Sequence, residues 1–215
     1  MATASLIQDF DVSESSRALG LLPPMRLGRK LWAPMLLMAV MAFPVAAVLG
    51  IVRASLVADG DSPDTVALLG QLTTAVMFIG FATVLAAIVF AIARILGALR
   101  TGGGEIQEAV GGKVVTLNLP GTAKLMIVLM MMAMMGLVFA VIVHIVLGFV
   151  AADAVNDGNA GRLATISDWS TWMEAVRRLS VAVYLTSVSL GLATIVRVLR
   201  FQAARIRELA GERTG

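Results

Sequence analysis

One ionisable side chain stands well inside an uncharged apolar stretch: His144, the only histidine of the chain. Holding such a group in hydrocarbon is costly, so it is a candidate functional site by default. Three kinds of chemistry are open to it. As a neutral ring it can hydrogen-bond to a neighbouring helix. It can carry protons or line a polar path. It can ligate haem or a metal, but a bis-histidine haem needs a second histidine, so the other ligand would be a methionine or come from a partner chain. Ser180, Tyr184, Ser187 and Gly191 follow a 4-3-4 spacing and share one face of a helix. That polar face can line a path or bond to another helix, and its serines can equally bond back to their own backbone. No carboxylate falls inside any of the apolar runs, which argues against a proton pump or cation carrier.

Methionines crowd the start of the third apolar run at Met126, Met130, Met131, Met132, Met134 and Met135. Thioethers suit Cu(I), and the Met-xxx-Met spacing at 126/130, 130/134 and 131/135 is similar to the methionine motif of copper-import channels. Those channels use three-span subunits, and the similarity covers only these few residues. Met134 and His144 lie about 15 Å apart along a helix, too far to share one ion. Methionine is also an ordinary apolar filler. No cofactor is expected from this chain's own ligands, and haem or copper would need ligands from a partner chain. With no cysteine, thiol catalysis, disulfide partners and thiolate metal sites drop out. The sequence also lacks a phosphate-binding Gly-Lys-Ser/Thr loop, a zinc-binding His-Glu pair and a Gly-x-Ser-x-Gly elbow. These residues do not make an enzyme.

The elements that position them are four uncharged apolar runs, 31–52, 66–93, 125–152 and 179–196. Crossing the hydrocarbon core takes about 20 residues as a helix, and a helix satisfies its own backbone there. Only 14% of residues are charged, against about 25% in soluble domains, and the mean hydropathy is +0.90. The expected fold is an all-α integral membrane protein with transmembrane helices at about 31–54, 63–100, 122–152 and 171–200. The first 30 residues contain Asp9, Asp11 and Glu14 and no apolar core, so the run from Leu31 reads as a retained span and not a cleaved leader. Ser62-Pro63 reads as an N-cap with proline at the first helical position. Thr171-Trp172-Met173-Glu174 has capping-box spacing and is expected to open the fourth span. Pro44 should kink or locally break the first, Gly102-Gly103-Gly104 should break the chain after the second, and 113–118 reads as loop.

Residues 1–30, 94–124 and 197–215 hold 13 of the 17 Lys and Arg. The positive-inside rule then places the N-terminus, the central loop and the C-terminus in the cytoplasm. Short loops fit a bacterial inner membrane. The basic balance has this topological cause, and nucleic acid is not implied. The segment 197–213 extends the fourth helix as a basic amphipathic stretch whose Arg197, Arg200, Arg205 and Arg207 can lie along anionic headgroups.

The two halves of the sequence resemble each other. Ile7-Gln8-Asp9 precedes Leu22-Pro23 and the first run, and Ile106-Gln107-Glu108 precedes Leu119-Pro120 and the third. Asp59-Gly60 matches Asp157-Gly158. The chain therefore reads as two helical hairpins, 1–104 and 105–215, in parallel repeat about an axis along the membrane normal, with a longer outer loop in the second. Ala42, Ala46, Gly50 and Ala54 form a small-residue stripe on the first span. Gly136, Ala140, Gly148 and Ala152 form its counterpart on the third, with His144 where the first has Ala46. Small residues four apart let helices approach closely, and the stripes are expected to face protein, each other included. The expected role is a non-catalytic subunit of a larger membrane complex, with the lipid bilayer and other integral membrane subunits as partners. A small-solute or ion channel beside His144, or a haem- or quinone-holding redox anchor there, are the alternatives.

Overall fold

Uncharged runs of this length satisfy their backbone polar groups in an apolar medium by coiling, and all four are helical. The computed structural model describes residues 7–15, 20–110 and 113–214. Its helices are α1 (Pro23–Asp59), α2 (Pro63–Ala109), α3 (Gly121–Asn156) and α4 (Ala160–Thr214), with two short strands, β1 (Val12–Ser15) and β2 (Val114–Leu117). Each helix is long and apolar enough to cross a membrane. α2 has 47 residues and α4 has 55, more than twice the roughly 20 that a bilayer core requires.

Several local expectations are corrected. α4 opens at Ala160 and not near Thr171. Its cap is Asn159, whose Oδ1 accepts from the Arg162 amide at 3.0 Å, an N-cap bond to the third helical residue. Thr171 lies inside the helix and donates to the Ser167 carbonyl at 3.0 Å. The residues read as a longer outer loop are thus helical turns. α2 does begin at Pro63, with Ser62 held at φ 45°, but the Ser62 hydroxyl donates to Asp61 Oδ1 at 3.2 Å. The triple glycine does not break α2, which runs on to Ala109. Gln202 of α4 covers Gly103 and donates to the Leu99 carbonyl at 3.3 Å, which supports the helix where its own side chains do not. α1 is continuous through Pro34 and Pro44. The 113–118 stretch holds β2, paired antiparallel with β1 from Val12↔Leu117 to Ser15↔Val114.

The chain divides into two compact units, and every helix contributes to both. The first comprises Met1–Trp32, Ile88–Val128 and Thr186–Gly215; the second comprises Ala33–Ala87 and Leu129–Leu185. In the first, Met25, Ile92, Leu96 and Met126 form the core. Gly28 lets α1 and α2 close up there: a Cβ at that position would lie 2.6 Å from the Phe90 carbonyl oxygen. In the second, one cluster is Phe78, Ala140 and Met173, and another is Leu147, Ala151, Ala154 and Ile166.

The small-residue stripes turn mostly inward. Ala42, Ala46, Ala140 and Gly148 are buried, Gly50, Gly136 and Ala152 are half-buried, and Ala54 is exposed. They do not meet each other at their glycines. Gly50 comes closest to Thr73 of α2, and Gly148 closest to Leu68 and Gln71 of the same helix. At Gly50 and Gly148 both stripes approach α2, while Gly136 meets Ser180 of α4; 56% of the most apolar window of α2 is buried against 17% for α1.

Candidate functional site

Close approach of α2 and α3 in the second unit sets the site. A Cβ on Gly148 would lie 3.1 Å from Leu68 Cδ1 and 3.3 Å from Gln71 Cβ. One turn along α3 from Gly148, His144 therefore comes within reach of Gln71. His144 Nδ1 lies 2.7 Å from Gln71 Oε1. An amide oxygen only accepts, so the ring carries its proton on Nδ1. The other end of the same amide, Nε2, donates to Ser170 Oγ of α4 at 3.1 Å. Gln71 thus ties three helices with one side chain. The Phe78 ring stands edge-on to the imidazole, centroids 5.2 Å apart. The Arg177 guanidinium covers Phe78 at 4.7 Å, a cation–π contact. Glu174 accepts from Arg177 and, at 2.9 Å, from Arg178 Nε.

The depth of that last pair was not legible in the sequence. Arg53 of α1 lies against Gly70 of α2. Phe78 is two turns further on, about 12 Å at the helical rise. It also lies about 18 Å inside the start of the apolar run of α2. Arg177 touches Phe78, so Glu174 and Arg177 stand at a level where α2 and α3 are uncharged. In the sequence they precede the apolar run of α4 and read as outside it. The available signal was the spacing: Glu174 three and four residues before two arginines is a pairing that neutralises charge on the helix itself.

His144 is 4% exposed. With Nδ1 engaged, any ligand bond falls to Nε2. Among the described residues no group of three or more His, Cys, Asp or Glu is placed to hold a metal ion. Met131, Met132 and Met135 are exposed while Met126 is buried against Gly191 and Ile92. Two hydroxyls of α4 face α3: Ser180 sits against Gly136, and Ser187 Oγ donates to the Met126 carbonyl at 2.8 Å. Tyr184 is fully buried, and its hydroxyl has no hydrogen-bond partner among the described residues.

A second polar cluster belongs to the first unit. Gln107 is 1% exposed and clamps β2, donating to the Val115 carbonyl at 3.0 Å and accepting from its amide at 2.8 Å. Arg205 reaches Gln107 Oε1 at 3.3 Å, the Lys113 carbonyl at 3.3 Å and Glu208 at 2.8 Å. Arg205 therefore turns inward, away from the surface where Arg197, Arg200 and Arg207 are exposed. The side chain of Arg213 lies outside the described residues. Comparison with known proteins finds no matching family model, curated protein or solved structure.

Proposed function

We propose that the chain is a non-catalytic membrane subunit with four spans that packs into and stabilises a larger membrane complex. The observation that carries this reading is that the polar groups around His144 are paired with one another inside the chain. Gln71 serves both His144 and Ser170, and Glu174 serves Arg177 and Arg178. The outward faces are left apolar. On α1, Leu37, Met41, Val48 and Ile51 share a face and are each 58% or more exposed. α1 is also the helix least covered by its own chain, so this face is the one most open to a neighbouring subunit.

In this reading both ends and the central loop are cytoplasmic, in a bacterial inner membrane, because the Lys and Arg residues concentrate there. The β1–β2 ribbon supports the duplicated arrangement, since it joins the segments that precede the first and second hairpins. Parallel copies about an axis along the membrane normal bring such segments together. The test is gentle extraction of the tagged chain from its own membrane, followed by native mass spectrometry. Reproducible co-purification with larger chains is expected. A lone monomer or homo-oligomer would overturn the reading.

A second reading, a small-solute or ion transporter, is favoured by one observation: His144, Gln71, Ser170, Glu174 and Arg177 bring polar groups from three helices together over about two helical turns. Flux in liposomes containing this chain alone, altered by His144→Ala, would establish it. Absence of flux would sink it.

A further inference from the structure

We propose that a cavity beside Arg100, in the first unit, binds an anionic lipid, with the headgroup on the guanidinium and a tail in an adjoining apolar groove. The cavity has a volume of about 40 Å³, and among the described residues Arg100 is the only charged one in its wall. That is room for about three waters, the scale of a phosphate or carboxylate group. Arg100 Nε is buried and has no hydrogen-bond partner among the described residues. A buried guanidinium donor is ordinarily paired, and its planar fork matches a phosphate or carboxylate. The other polar side chains of the wall each bond within the protein, Thr116 to Ser13 among them. Asn118 Nδ2 donates to Asp11 Oδ1 at 2.7 Å, Thr194 to the Leu190 carbonyl at 2.8 Å, and Gln202 to the Leu99 carbonyl at 3.3 Å. Arg100 is left to take the anion.

The apolar half of the ligand has its own place. A second cavity of about 250 Å³ has a wholly apolar lining and shares Met25, Leu96 and Leu119 with the first. An anion-binding donor next to an apolar groove recognises an amphiphile and not a free ion. The field agrees: this unit carries thirteen Lys and Arg against seven Asp and Glu, and such an excess draws anionic headgroups.

The experiment is native mass spectrometry of the full chain in mild detergent with phosphatidylglycerol, phosphatidylcholine or inorganic phosphate. The wild type is expected to retain phosphatidylglycerol about tenfold over phosphatidylcholine, the scale of one charge-assisted contact. Arg100→Gln should erase that preference while phosphatidylcholine retention stays unchanged. Arg200→Gln removes the same charge from an exposed site and should leave the preference within about twofold. Leu119→Trp, at a 37% exposed wall position, should block the groove with Arg100 intact, which keeps the test open if Arg100→Gln does not fold. Equal preference in wild type and a folded Arg100→Gln would overturn the proposal. So would inorganic phosphate binding as tightly as the lipid, or undiminished lipid retention by Leu119→Trp.

Discussion

Replacing Gln71 by leucine removes two hydrogen bonds that join three helices: the 2.7 Å contact to His144 and the 3.1 Å donation to Ser170. Hydrogen bonds between membrane helices average about 0.6 kcal/mol and reach about 1.7. Gln71→Leu should therefore cost about 1–3 kcal/mol. His144→Phe keeps a ring beside Phe78 and loses only one of the two bonds, so it should cost about 0.6–1.7 kcal/mol. If the pair interacts as placed, the double variant costs less than the sum of the singles by that same amount. The assay is reversible unfolding in mixed micelles of rising dodecyl sulfate fraction, followed by fluorescence of Trp169 and Trp172 on α4. Additivity within about 0.3 kcal/mol, the range expected of independent sites, would refute the His144–Gln71 contact.

Other expectations follow from the helix geometry. Gly28→Ala puts a methyl 2.6 Å from a backbone carbonyl oxygen and should destabilise by about 1–3 kcal/mol in the same unfolding assay. Gly102→Ala meets open space within an unbroken helix and should stabilise by about 0.8–1 kcal/mol; a loss would restore the hinge. Asn159→Ala should cost about 1 kcal/mol as the loss of a cap, while Thr171→Val should cost far less, and the reverse order would return the start of α4 to Thr171. Arg205→Ala removes bonds to Gln107, Lys113 and Glu208, so hydrogen exchange should accelerate in β2 with no change in the middle of α3.

The four helices were legible because each carries an uncharged run longer than a bilayer needs, a signal that depends on no distant partner. The inward turn of Ala42, Ala46, Ala140 and Gly148 was legible for a related reason: small residues at helical spacing mark where another backbone comes close. What they face was not, since spacing on one helix does not name the neighbour. β2 was missed because four residues give little alternation, and its partner β1 lies about a hundred residues away in the chain. Gly102-Gly103-Gly104 misled because glycine lowers intrinsic helix propensity, and the packing of Gln202 that offsets this lies in another helix. Within the candidate site, His144 declared itself by type and position. Gln71 lies near one end of the 66–93 run with nothing in its sequence neighbourhood to pair with, and only the approach permitted by Gly148 gives it a histidine to hold. Glu174 and Arg177 precede the uncharged run 179–196, and their depth beside Phe78 was not legible because sequence order does not set the relative depth of helices.

Four crossings with both ends on one face are tested most directly by cysteine labelling, since the native chain has no cysteine. Single cysteines at Gly20, Asp61, Ala160 and Gly211, all exposed positions, are treated in intact cells with a membrane-impermeant maleimide. Asp61→Cys and Ala160→Cys should label in intact cells, and Gly20→Cys and Gly211→Cys only after the membrane is opened. Labelling of Gly20→Cys and Gly211→Cys on opposite faces would contradict an even number of crossings and, with it, the parallel hairpins.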